Sequence, residues 1–260
     1  MPAPFLSYVK RNPAAPLDAS SFPGNLGFVS ELHLEFDDAV TFFVGENGSG
    51  KSTLLEAIAV LAGFPISGGS TNEVESSHGL QENSLLADAL RLAVKRQPKD
   101  GYFFRAELQA HFASLLDQRR TDPDFLGDPY ARYGGRSLHT MPHGEAFLSV
   151  MQNRFSEGLF ILDEPESALS PQRQLTLLAI MYDRCRTGKT QFIIATHSPI
   201  LLTFPEARIV SFDDGKLETV QLKDTSHYQI THGILTSPES YWKHLRIPLG
   251  DGDPSNDEIE

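Results

Sequence analysis

One cysteine, Cys185, stands in 260 residues, so no disulfide can form within the chain, and neither a CxxC pair nor a Cys/His spacing suited to structural zinc occurs. A reducing cytoplasm is the expected compartment. No apolar run approaches the roughly 20 residues needed to span a bilayer. The start, MPAPFLSYVKRNPAAP, is broken by prolines and lacks the apolar core of a secretion signal. The expectation is a chain that is not secreted and does not insert into a membrane by itself. Basic residues are also scarce: 22 Lys and Arg face 34 Asp and Glu, a formal charge of −12, and the closing DGDPSNDEIE is acidic without a single base. That balance argues against a generally basic nucleic-acid surface while leaving room for a local basic patch. There is no internal repeat and no sustained heptad pattern, which excludes long coiled-coil arms.

What is present is ordinary globular composition, 40% hydrophobic and 22% charged, in a length that suits one large domain or two small ones. Phe28–Phe36 and the apolar run Val40–Val44 read as strands, and Ser52–Ala62 as a helix stopped by Gly63 and Pro65. Ser84–Lys95 reads as an amphipathic helix, Tyr102–Ala106 as a strand and Leu108–Leu116 as a helix. Further on come a helix at Gly144–Arg154, a buried strand at Leu159–Leu162, a helix at Pro171–Cys185, and strands at Gln191–Ala195 and Ile209–Phe212. Apolar strands alternating with helices predict an α/β fold with a mainly parallel central sheet.

The chemistry concentrates where the first of those buried strands ends. Gly45-Glu46-Asn47-Gly48-Ser49-Gly50-Lys51-Ser52 matches GxxxxGK[ST] between a strand and a helix, the context that gives the pattern its meaning as a phosphate loop. Glycines let successive N–H groups curl toward phosphate oxygens, and the helix N-terminus adds its positive dipole end. Lys51 would reach the β/γ-phosphates and Ser52 would ligate Mg²⁺, with Asn47, Gly48, Ser49, Gly50 and Thr53 completing the cradle. ATP and Mg²⁺ are therefore the expected ligands. Leu159-Phe160-Ile161-Leu162 delivers Asp163-Glu164 to a strand end, where Asp163 would hold Mg²⁺ through water and Glu164 would orient or deprotonate an attacking water. Alone, this acid pair is a strand running out into solvent; with the glycine loop present the functional reading prevails. Thr196-His197-Ser198 follows another strand, and the His197 imidazole there could hydrogen-bond a γ-phosphate oxygen.

These residues carry a family resemblance. Gly45–Thr53, Asp163-Glu164-Pro165-Glu166 with Ala168-Leu169-Ser170, and Thr196-His197 resemble the ABC-type ATPases in order and spacing. The text VGENGSGKSTLLEAIAV, YGGRSLH, HGEAFL, LDEPESALSPQRQLTLL and FIIATHSPILL is similar to small stand-alone bacterial ATPases related to the nucleotide-binding domains of ABC and SMC-like proteins. The resemblance implies an ABC-type P-loop NTPase domain over residues 22–245, with an antiparallel β portion and a small helical subdomain near 84–150. Residues 1–21 would be an extension and 246–260 an acidic tail.

It further implies a homodimer that sandwiches nucleotide between one subunit's phosphate loop and the other's signature segment, which here would supply His143, Gly144 and Glu145. Pro142 stands where the family's serine is usual and cannot donate that serine's hydrogen bond. The Q-loop residue near the metal would be Glu107, with Gln109 as the alternative; Phe22 is a candidate by distance alone to stack on adenine, a hydrophobic anchor being the preferred reading of it. The implied function is ATP hydrolysis in the service of a DNA or protein client. The alternatives are a slow nucleotide-switched binding module and the energising subunit of a transporter.

Overall fold

Three runs spread along the chain are buried at every position: β3 (Val40–Val44), β6 (Gly158–Asp163) and β7 (Thr190–Ala195). Strands of this kind have no solvent face and belong in a sheet covered on both sides. In the computed structural model, which describes the chain except residues 71–83, 107–108, 123–126, 132–134, 138–139, 141–142, 155–156 and 246–260, they form the centre of a six-stranded sheet. The other members are β5 (Gly101–Arg105), β8 (Arg208–Ser211) and β9 (Glu218–Val220), in the order β5-β6-β7-β3-β8-β9. All neighbours are parallel except β9, which runs antiparallel to β8. The mainly parallel sheet expected from the sequence is thus present. Its register is level: Ala195 of β7 stands opposite Phe43 on one side and Asp163 on the other.

Period-two alternation divides the core between the sheet's faces. Phe42, Val44, Phe160, Leu162, Phe192 and Ile194 face one side, where α4 (His143–Arg154) and α5 (Pro171–Cys185) contribute Phe147, Leu177 and Met181. Phe43, Leu159, Ile161, Ile193 and Val210 face the other, against Leu54, Leu55 and Ile58 of α1 (Lys51–Leu61). The stretch from Val40 to Ala62 is therefore strand, loop and helix as expected.

The second side also carries a small antiparallel sheet, β2-β1-β4, built from β1 (Leu6–Arg11), β2 (His33–Glu35) and β4 (Leu90–Val94). Three expectations differ here. Ser84–Lys95 reads as one helix, but only α2 (Leu85–Asp88) is helical, and β4 follows it, pairing Leu92 with Val9. Leu90 and Leu92 alternate with Arg91 and Ala93, a period of two that the preceding helix formers obscure. Residues 1–21 read as an extension, yet Leu6 and Val9 are fully buried at the middle of this sheet. Prolines at 2, 4, 13 and 16 hide that short strand in the sequence. The stretch Phe28–Phe36 yields only the three residues of β2, because Leu26–Glu31 is a series of turns.

Helix α3 (Gln109–Thr121) lies where a helix was read, and a C-terminal pair, α6 (Ser226–Thr236) and α7 (Pro238–His244), follows the sheet. No helix among the described residues is long and apolar enough to cross a membrane.

One buried amide ties the two sheets together. Gln191 of β7 is fully buried, and its Oε1 accepts from Phe5 N at 3.1 Å and Leu6 N at 2.9 Å. Gln191→Leu leaves both main-chain donors unbonded in the interior. It should lower unfolding free energy by about 1–3 kcal/mol in urea titrations, with the spectroscopic signature of the folded state retained.

Candidate functional site

In an open parallel sheet, ligands bind beyond the carboxyl ends of the strands. Here the level register of β3, β7 and β6 brings three loops to the same edge: 45–50 after β3, 196–198 after β7 and Glu164 after β6. Gly45, Gly48 and Gly50 have φ of +140°, +81° and +96°, a left-handed backbone that side chains disfavour. At Gly50 a Cβ would also lie 2.8 Å from Phe28 Cε1 and 2.9 Å from Leu26 Cδ1. The loop therefore needs glycine both for its dihedrals and for its packing.

Inside this curl the buried Lys51 ammonium donates to Gly45 O at 2.7 Å and Glu46 O at 2.9 Å. Burial pulls its pKa below the ordinary lysine range, opposed by the nearby carboxylates of Glu164 and Asp163. Ser52 Oγ donates to Asp163 Oδ1 at 2.9 Å, joining the start of α1 to the tip of β6. Glu164 has φ 48°, ψ 52°, and this left-handed turn lifts its half-exposed carboxylate beside the loop after β7. Its Oε1 lies 3.7 Å from His197 Nε2.

The neighbouring contacts hold those groups in place. Glu166 Oε1 accepts from the main-chain N–H of His197 at 2.6 Å, while burial raises the Glu166 pKa. Gln174 of α5 donates to Leu169 O and accepts from Ser198 Oγ, so the turn after β6 and the loop after β7 share one side-chain clamp. Asp213, just past β8, accepts from Glu46 N at 3.2 Å and from Ser211 Oγ at 2.9 Å, bracing the outer limb of the glycine loop. Between that limb and Asn25–Gly27 lies an open cleft of about 520 Å³, which Asp213, Asp214 and Ser226 also line.

The residues present fit a bound polyphosphate. Helices α5 and α6 have side-chain N-caps, Ser170 and Thr225, whereas α1 begins at Gly50 with none, which leaves its first N–H groups for an anion. Ser49 Oγ, beside them, is buried without a hydrogen-bond partner among the described residues. A hydroxyl paired to a carboxylate, Ser52 with Asp163, is an oxygen donor set suited to Mg²⁺.

Of the residues predicted from sequence, Asn47, Gly48, Ser49, Gly50, Lys51, Ser52, Thr53, Asp163, Glu164 and His197 come together at this edge. His143, Gly144 and Glu145 lie elsewhere in the sequence of elements. They open α4, which packs on α5, and Glu145 Oε1 accepts from Arg173 Nη2 at 3.0 Å. Glu107 and Pro142 lie outside the described residues, and Gln109 is the first residue of α3. Phe22 is 63% exposed, and the cleft wall is formed by Asn25, Leu26 and Gly27 instead. Sequence reasoning gave no role to Asp213 or to His227, whose Nε2 lies 2.8 Å from His197 Nδ1. No local pattern marks either, and His227 is 30 residues from its partner.

Strand, glycine loop and helix, with an acid-tipped strand one place removed in a parallel sheet, define a P-loop nucleotide-binding architecture. Residues 24–105 match the family model described as "AAA domain", and residues 137–203 match "AAA domain, putative AbiEii toxin, Type IV TA system", together more than half of the chain. A ribose import ATP-binding protein of Burkholderia ambifaria is 26% identical over 81% of this chain and 44% of its own length. A hemin import ATP-binding protein of Pseudomonas aeruginosa is 30% identical over 58% of this chain and 64% of its own. The chain thus spans about half to two thirds of these relatives. A crystal structure of the SMC head bound to the C-winged helix domain of ScpA overlays with a TM-score of 0.46 at 12% identity, covering 84% of this chain and 98% of that one. The two AAA-domain matches and the ABC-type ATP-binding relatives support an ABC-type AAA-domain ATPase.

The loop's two inner glycines should respond differently to substitution. Gly48→Ala meets open space and should cost only the left-handed backbone penalty, about 1–2 kcal/mol. Gly50→Ala adds the collision with Phe28 and Leu26 and should lower the thermal midpoint further, which differential scanning fluorimetry of the two variants would resolve.

Proposed function

We propose that this chain binds ATP with Mg²⁺ and hydrolyses it, working as a nucleotide-sandwich homodimer. The observation that carries the reading is the convergence at one sheet edge of Lys51, the Ser52–Asp163 pair, Glu164 and His197. In this reading Lys51 leaves the carbonyls of Gly45 and Glu46 for the β- and γ-phosphates. Ser52 would ligate Mg²⁺ and Asp163 would hold it through water, where it would supply neutralisation of the phosphate charge. Glu164 accepts the proton of the water that attacks the γ-phosphorus as ADP leaves, and His197 donates from Nε2 to a γ-phosphate oxygen.

The partner role falls to the start of α4, where His143, Gly144 and Glu145 would face the nucleotide held by the other subunit, with Arg173 holding Glu145 in position. Glu107, which lies outside the described residues, is the proposed Q-loop residue for the metal. The cytoplasm is the proposed setting.

The client is a DNA or a protein partner in this reading, and a defence role accords with the toxin description carried by one matched family model. The import proteins among the relatives support a transporter subunit as the second reading, for which a separate membrane-spanning partner would be required. Pro142 favours slow turnover, because it removes the hydroxyl donor usual at that place.

Glu164→Gln should reduce phosphate release by about 10²–10⁴-fold while ATP still binds, and light scattering in Mg-ATP should show a longer-lived dimer than wild type forms. Unchanged turnover would remove Glu164 from the base role, and a monomer throughout would overturn the sandwich. Lys51→Ala should instead lose ATP binding itself in equilibrium titrations with a fluorescent ATP analogue.

A further inference from the structure

Helix α6 brings a second imidazole to the edge where the strands end. Its first turn is fixed by Thr225, whose side chain accepts from Tyr228 N, and His227 is the second residue of the helix. His227 Nε2 lies 2.8 Å from His197 Nδ1, with ring centroids 4.9 Å apart and planes inclined at 56°. The outer nitrogens of this pair, His197 Nε2 and His227 Nδ1, are buried and have no hydrogen-bond partner among the described residues. The main chain of His197 is held independently by Glu166. The ring therefore has one fixed neighbour at Nδ1, and its Nε2 faces Glu164 and the phosphate side of the site.

We propose that His227 is a positioning residue that fixes the tautomer of His197, donating from Nε2–H to His197 Nδ1 so that His197 carries its proton on Nε2, toward the γ-phosphate position. This rests on the ATPase reading for what the proton is used for, though not for where it sits.

Two neutral imidazoles joined by one hydrogen bond have only two arrangements. If His197 were the donor, its Nε2 would present a lone pair 3.7 Å from the Glu164 carboxylate and toward any incoming phosphate oxygen, and all of these groups repel it. If His227 is the donor, the same atom presents N–H to those oxygens. The arrangement with His227 donating is favoured electrostatically before any nucleotide arrives, and more strongly once one does. Both rings are kept neutral by burial and by the Lys51 ammonium, and the N-terminal end of α6 adds its positive dipole end beside His227. Neutrality of His197 matters because a second proton, on its Nδ1, would remove the acceptor on which this arrangement depends.

The glutamine amide nitrogen overlies the position of histidine Nε2, so His227→Gln keeps the donor. His227→Phe keeps the ring volume and loses it. In long-range ¹H–¹⁵N spectra of the nucleotide-free, ¹⁵N-histidine-labelled protein, with His197 assigned by its disappearance in His197→Gln, wild type and His227→Gln should show His197 protonated at Nε2. His227→Phe should show a mixture of tautomers. In phosphate-release assays His227→Phe should lower kcat about tenfold or more with KM changed less than about twofold, and His227→Gln should recover most of that loss. A His197 protonated at Nδ1 in wild type, or the same tautomer in all three proteins, would overturn the proposal. Absent turnover in wild type would count against the ATPase reading and leave the spectroscopic result standing on its own.

Discussion

Everything at the site depends on the level register of three parallel strands. Because Ala195 is aligned with both Phe43 and Asp163, the loops leaving β3, β7 and β6 emerge at the same height. A one-residue slip of any one of them would turn its side chains to the opposite face and carry its loop away from the others. The alternation that buries Phe160 and Leu162 on one face and Leu159 and Ile161 on the other makes such a slip costly. The apolar core thus fixes, at some distance, where Asp163 and His197 stand.

Polar clamps refine what the register sets. Ser52 to Asp163 joins α1 to β6, Glu166 to His197 joins β6 to the loop after β7, and Gln174 to Ser198 adds α5 to the same bundle of contacts. Asp213 braces the glycine loop from the far side of β8. The first three are charged or buried hydrogen bonds whose loss leaves a partner unpaired in a partly or fully buried place, and with the exposed Asp213 contact they hold a small constellation on its loops. Catalysis by phosphoryl transfer depends mainly on such positioning and electrostatics.

Legibility in the sequence followed the range of the interaction. Val40–Val44, Pro171–Cys185 and the glycine loop could be read residue by residue, because burial on both faces, a proline at a helix start and a left-handed turn each leave a local mark. The small antiparallel sheet was poorly legible. β1 and β4 are short, and β4 follows helix formers, so pairing between Leu92 and Val9 decides what local preference leaves open. His227 and Asp213 were not legible at all. Their partners, His197 and Glu46, lie 30 and 167 residues away, and nothing near either residue distinguishes it from an ordinary surface polar group.

The sequence by itself determined the chemistry on offer: a phosphate loop, an acid pair at a strand end, and a histidine after the next buried strand. Those are set by residue type at fixed spacing, and short-range backbone physics reads them directly. Only the tertiary structure decided that β7 lies between β3 and β6, that the amino-terminal strand is packed into the core, and that the imidazole of α6 meets the imidazole after β7. Strand order, docking and side-chain pairing across long stretches of chain come from burying surfaces against one another, and that information is spread over many residues rather than written in any one segment.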